Sequence, residues 1–275
     1  MTEASWLNAP FLEQPPFAVF EPALRERLAR LADFPAPEQL RALTSGIPNA
    51  QPAWFDFALQ DDAALEAAGG FDALIARTGH IPTRARSFHD LLGALVWLHF
   101  PALKTAIHRL QLERAGAARG PRENAATHLD ESGVLLVSSD ASVFQAVRDL
   151  KWRELFRERR AQLAASTRFL VFGHGLLDAF RTPHPRLMGK ALCVQVSSTQ
   201  LAASPSALRV FLDGELARRL PDFLVEPGLL LPLPVLGIPA WANGQNAEFY
   251  DNDRYFRVKR AHPRPPLPCR WLDLS

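Results

Sequence analysis

Cysteine is scarce. The chain has two, Cys193 and Cys269, far apart and with no metal-type spacing. This excludes a Cys-rich zinc module and a disulfide framework, and Cys193 lies inside an apolar strand-like run where a thiol is usually inert. A secretory leader is also missing: "MTEASWLNAPFLEQPPF" has neither a basic n-region nor an apolar h-region, so a cytoplasmic protein is expected. No apolar run is suited to a bilayer, because "LLGALVWLHF" is too short and "GLLLPLPVLGIPAW" is broken by prolines. Charge of one sign is weak, at +2 net from 31 basic and 29 acidic residues, which makes nucleic acid an unlikely partner on composition alone. There is no Gly-x-Ser-x-Gly elbow, no Gly-Lys-Ser/Thr phosphate loop, no internal repeat and no low-complexity tract.

What is present reads as one domain spanning residues 1–275. The content of 48% hydrophobic and 22% charged residues is enough for a substantial core. Twenty-three prolines imply many irregular connections. Residues 1–20 read as an extended aromatic arm, and 227–275 as a proline-rich irregular segment packed on the body. Helices are expected over 21–34, over 61–78 with a break at Gly69–Gly70, over 87–99 and 101–115, and after Ser204–Pro205. Residues 133–140, "RFLVF" and "KALCVQVSS" read as strands, and "PAWFDFAL" as a weaker one. "TGHIPTRARS" and 114–124 read as loops. The fold class is α/β or α+β, helix-rich, with a small parallel or mixed sheet.

The most informative stretch is "SFHDLLGALVWLHFPALKTAIHRLQ", which sets His89, Asp90, His99 and His108 in apolar surroundings. His89 and His99 fall on one helical stripe, but ten residues separate them by roughly 15 Å, too far to share an ion. His99 and His108 therefore read as structural, hydrogen-bonded histidines. The adjacent His89–Asp90 pair matches the namesake of the HD-type phosphohydrolases. The earlier His that those enzymes need is missing here, since His80 is only a short loop away.

Three further clusters carry possible chemistry. "THLDESGVLLVSSD" groups His128, Asp130 and Glu131 before a strand, a set that suits a divalent cation, though an acidic turn explains the same residues. "FLVFGHGLLD" places His174 between two glycines at a strand-to-helix turn, where α/β proteins often put functional groups. "FYDNDRYFRVKRAHPR" interleaves aromatics with Arg254, Arg257, Lys259 and Arg260. It reads as an edge strand over 255–259 or, less favourably, as a surface for nucleic acid.

In order along the chain, "TGHIPTR", "FHDLLGALVWLHFP" followed by Lys104, "HLDESGVLLV", "WRELF", "VFGHGLLD" and "PLPVLGIPAW…N…FYDNDRYFR" resemble a proteobacterial family labelled only as a domain of unknown function. The resemblance spans about residues 15–257. It implies one domain-sized unit in a bacterial cytoplasmic protein and brings no activity with it. One departure is Gly93–Ala94, where the family pattern has Asn-Ala.

The leading expectation is a non-catalytic binding or interaction protein with a buried His/carboxylate network, in which the 227–242 segment and the N-terminal arm offer a surface for a partner or for self-association. The alternative is a metal-assisted or acid–base hydrolase of a phosphorylated or otherwise anionic small molecule. In that reading His89, Asp90 and His174 are catalytic, Arg84 and Arg86 hold the substrate, and His128, Asp130 and Glu131 hold a possible divalent metal.

Overall fold

The computed structural model describes residues 10–46, 54–113, 120–257 and 270–275. The chain opens with two 3-10 helices, Pro10–Glu13 and Pro15–Val19, so this part of the N-terminal arm is coiled rather than extended. Phe11, Phe17 and Phe20 are buried from it. Helix α1 (Pro22–Ala29) follows, with proline in its first turn. Residues 37–44 form two more short 3-10 turns.

Strand β1 (Asp56–Leu59) leads through α2 (Asp62–Ala68) and α3 (Phe71–Thr78) to β2 (His80–Thr83). The two helices part at Gly69–Gly70, as expected, because both glycines take left-handed backbone (φ 84° and 123°). β2 lies in what reads from sequence as a loop. Pairing with β1 in parallel, Asp56 opposite His80, makes it a strand despite Pro82.

Helix α4 (Phe88–His99) starts at Ser87, whose hydroxyl accepts from the Asp90 N–H. It ends at Phe100, and Pro101 opens α5 (Pro101–Leu112), with a bend of 114° between the two. Helix α6 (Pro121–Ser132) replaces the expected loop and acidic turn, and it runs directly into β3 (Gly133–Ser138).

Beyond β3 come α7 (Ser142–Arg148), a π-helical turn (Glu154–Glu158) and α8 (Arg160–Ser166). Then follow β4 (Thr167–Val171), α9 (His174–Phe180), β5 (Gly189–Gln195), α10 (Ser198–Leu201) and α11 (Pro205–Phe223). Strand β6 (Leu231–Leu233), α12 (Ala247–Tyr250) and β7 (Leu272–Asp273) complete the described chain. No strand forms over the described part of 255–259. Tyr255 and Phe256 are buried in a turn instead, and Lys259 and Arg260 lie outside the described residues.

The main sheet is mixed, with order β4-β3-β5-β6. β3 runs parallel to β5 and antiparallel to β4, while β6 and β7 share the outer edge of β5. Every residue of β3 is buried. Helix predominates over strand, and the architecture is the helix-rich mixed α/β type expected. No single helix is long and apolar enough to cross a membrane.

The bend between α4 and α5 is held by α11. Asp213 accepts from the Leu103 N–H at 2.8 Å and the Ala102 N–H at 3.2 Å, supplying the cap that Phe100 cannot. Arg209 donates to the His99 carbonyl at 2.5 Å and pairs with Glu21 at 3.4 Å. His99 is fully occupied: Nδ1 lies 3.0 Å from the Leu95 carbonyl, and Nε2 accepts from the Glu21 N–H at 3.4 Å. Burial, with the Arg209 charge beside it, pushes its pKa down to about 3, so the ring is neutral.

Candidate functional site

One cavity, of about 300 Å³, collects most of the singled-out polar residues. Its walls come from β2, from one face of α4, from α5 and α6, and from the start of α9. On α4 the facing residues are His89, Asp90, Gly93, Ala94 and Trp97, a helical stripe. On α6 they are Thr127, Asp130 and Glu131. The spacing of three and four residues puts these on one side of the helix.

Three side chains meet there. His89, Glu131 and His174 each offer a donor atom, and the three atoms lie within 4.8 Å of one another, all half-buried. The two imidazoles contact edge to face with centroids 4.5 Å apart. His174 Nε2 stands 3.6 Å from Glu131 Oε1. His174 Nδ1 is 2.8 Å from the Asp130 carbonyl oxygen, which has only an N–H to accept. That bond fixes the tautomer with Nδ1 protonated and leaves the Nε2 lone pair toward His89 and Glu131. Burial favours the neutral ring and, with the nearby Lys104 and His89, outweighs the pull of Asp130 and Glu131, so the His174 pKa lies below its ordinary value.

The glycines of Gly-His-Gly explain how the groups approach. A Cβ on Gly173 would sit 2.6 Å from both the Glu131 carbonyl and the Ser132 nitrogen, and closer still to the Gly133 nitrogen. The turn into α9 therefore lies flat on the α6–β3 junction. A Cβ on Gly175 would fall 2.5 Å from Glu131 Oε2, so its absence lets the carboxylate tuck against α9. On the other side, the open position at Gly93 faces the His174 ring at 3.4 Å.

A second layer supports the triad. Asp130 forms a buried ion pair with Lys104, whose Nζ also sits 4.9 Å from the Trp97 ring. Burial works against the Asp130 carboxylate. The charges of Lys104 and His174, and hydrogen bonds from Lys104 and Gln111, overcome it and hold the pKa below the usual range. Trp97, Asp72 and Gln111 are not singled out by motif reasoning, and Lys104 enters it only as part of the family-like pattern, with no role attached. For Lys104 a signal existed, because it is the one cation on the buried face of α5 among Leu103, Ile107 and Leu110.

Asp90 lines the cavity but is tied to Arg84, with Arg84 Nη2 2.7 Å from Oδ1 and the Arg84 N–H 2.7 Å from Oδ2. Burial opposes the Asp90 charge, yet the bonds from Arg84 and Ser87 keep its pKa low. Arg84 thus stands at the rim with its charge engaged. Arg86 takes left-handed backbone (φ 56°) and pairs with Asp33 at 2.9 Å, outside the cavity lining. His128 is exposed, a quarter-turn round α6 from the cavity face, so the three convergent donors are His89, Glu131 and His174 rather than a set containing His128. His108 binds Asp72 through Nδ1 at 3.1 Å and stacks on Trp54.

No curated protein and no solved structure matches the chain. One family profile does, over residues 55–260, a span that contains every residue lining the cavity. On that match the chain belongs to the family described as Protein of unknown function (DUF3025).

Proposed function

We propose that the protein is a metal-assisted hydrolase of a small substrate, with a divalent ion held by His89, Glu131 and His174. The observation that carries this reading is the convergence of two imidazoles and one carboxylate, half-buried, on an open cavity. A structural network would bury and satisfy such groups, as happens at His99. Two histidines and a carboxylate with a position left open are the donor set of catalytic zinc sites and of several other divalent metals. A bound ion there supplies Lewis-acid chemistry and a water acidic enough to attack at neutral pH.

The chain's own groups have separable tasks. The Asp130 carbonyl orients His174 through Nδ1, and Lys104 holds Asp130 in place. Both cations of the cavity, Arg84 and Lys104, are engaged by carboxylates. An anionic group on the substrate would therefore be received mainly by the ion. Trp97, Phe71, Ile81 and Pro82 give the substrate an apolar wall.

The test is elemental analysis of untagged protein purified without chelator, beside His89→Ala and His174→Ala. A near-stoichiometric Zn, Mn, Fe or Ni content that both variants lose supports the proposal and directs a phosphatase and esterase screen with that metal. A folded wild type that is metal-free, and stays so after dialysis against these ions, defeats it. The binding or interaction reading then leads, favoured by the satisfied Lys104–Asp130–Gln111 network.

A further inference from the structure

Four cations surround a second and larger cavity, of about 520 Å³, with no carboxylate in its lining. They are Arg186, Lys190 on β5, Arg254 and Arg257. None of the four forms an ion pair among the described residues. The nearby acids are committed elsewhere: Asp149 to Arg148, Glu154 to Lys151 and Arg159, and Asp251 to Arg153. Glu158 and Asp253 line an adjoining depression beyond Leu150 and Trp152. Four like charges gathered without counter-charge repel one another, a cost that a bound anion removes.

The backbone that carries the cations is anchored by aromatics. The Trp152 indole N–H donates to the Arg257 carbonyl at 3.0 Å. The Tyr255 hydroxyl donates to the Leu187 carbonyl at 2.6 Å and accepts from the Leu236 N–H at 2.9 Å. One ring thus ties the 254–257 turn to the segment that carries Arg186 and Lys190. This fixes where the cations start from, so less freedom is lost on binding. Leu150 keeps a side chain on left-handed backbone (φ 56°), where glycine is usual, and that side chain lines the cavity.

We infer that this cavity is a binding site for a small molecule bearing two or more phosphates and an apolar or aromatic moiety, of which a nucleoside di- or triphosphate is the simplest example. Three guanidinium groups suit phosphate oxygens by their forked donors, and a charge of four calls for more than one phosphomonoester. The apolar walls of Leu150, Trp152 and Tyr255 would receive the organic part. The volume is within the range of small-molecule sites. The inference is independent of the metal proposal, because the cavities share no lining residue.

The experiment is calorimetric titration of the full chain, in chelator, with pyrophosphate, ADP and ATP. The wild type is expected to bind ATP with a Kd of about 1 mM or tighter. Lys190→Ala and Arg254→Ala should each weaken it about tenfold or more, each removing a charge-assisted contact. Lys151→Ala, which removes a cation next to the cavity but outside its lining, and His89→Ala, in the other cavity, should leave the Kd unchanged. No binding of any of the three probes at about 5 mM, or equal binding by all variants, overturns the inference. So does a single-stranded oligonucleotide of about 20 nucleotides that binds more tightly than ATP and displaces it, which would make the cations an extended polyanion surface.

Discussion

At the scale of single residues, the buried Lys104–Asp130 pair carries the sharpest stability consequence. Removing one partner strands the other charge out of water, so Lys104→Met is expected to cost about 3–5 kcal/mol in urea unfolding. Adding Asp130→Asn should recover much of that, since the hydrogen bond that orients His174 goes to the Asp130 carbonyl at 2.8 Å while the carboxylate stands 3.8 Å from the same nitrogen. His99 governs the acid limb. Its folded pKa, about 3, is depressed below the unfolded value of 6.5, so the unfolded chain binds the proton more readily between those pH values. The stability it contributes is full above pH 6.5 and is lost as pH falls toward 3, by up to about 5 kcal/mol across that window. His99→Gln should flatten the dependence of the urea midpoint on pH there; an unchanged slope would refute the assignment.

At the scale of elements, the two glycines beside His174 should respond differently to one added methyl. Gly173→Ala drives a Cβ into backbone atoms of the α6–β3 junction that cannot yield, with an expected cost of about 3 kcal/mol. Gly175→Ala meets the end of the Glu131 side chain, which can swing away, and stands 3.1 Å from the Glu131 carbonyl oxygen, a milder backbone contact than those at Gly173. That variant should lose less stability than Gly173→Ala yet bind a divalent ion about 10–100-fold more weakly, as read by metal titration. Much of the element pattern was legible. Ser87 and Pro101 mark the starts of α4 and α5, Ser204–Pro205 opens α11, and the apolar runs at 133–138 and 189–195 are strands. Helix α6 was not, because "THLDES" is rich in turn-forming residues; Pro121 and the Glu123 cap on the Gly120 N–H start the helix, and Ala125, Ala126 and Leu129 are buried against the core. β2 was hidden for the same kind of reason, since its partner β1 lies beyond two helices in sequence. The site inherits both gaps. His89, Asp130, Glu131 and His174 were visible as polar residues in apolar settings. That Glu131 and not His128 faces the histidines depends on α6 being a helix, and no local spacing reports the meeting of α4 with α9.

At the scale of the whole molecule, the triad joins α4 to the sheet-side elements α6 and α9, so an ion there would tie together parts of the fold that otherwise touch by packing. Binding at about one hundred times Kd adds about 2.7 kcal/mol. For a chain of this length that corresponds to a rise of about 5 °C in melting temperature. The matching metal should produce such a shift by scanning calorimetry, chelator should reverse it, and His174→Ala should abolish it; a wild-type midpoint indifferent to every divalent ion tested would count against the triad. The second cavity begins one residue along, since Glu131 lines the first and Ser132 the second.

Glu21, just ahead of α1, bonds through its carboxylate to Ser206 at 2.7 Å and to Arg209, and its N–H is received by His99. The beginning of the described chain is therefore fastened by a helix made some 190 residues later. At ribosomal rates the wait between the two is on the order of ten seconds to half a minute. During that interval Phe17, Phe20 and Leu24 have no completed core to enter. For this protein the vulnerable period of synthesis falls on Phe17, Phe20 and Leu24, apolar surface that a chaperone would have to cover until α11 has emerged.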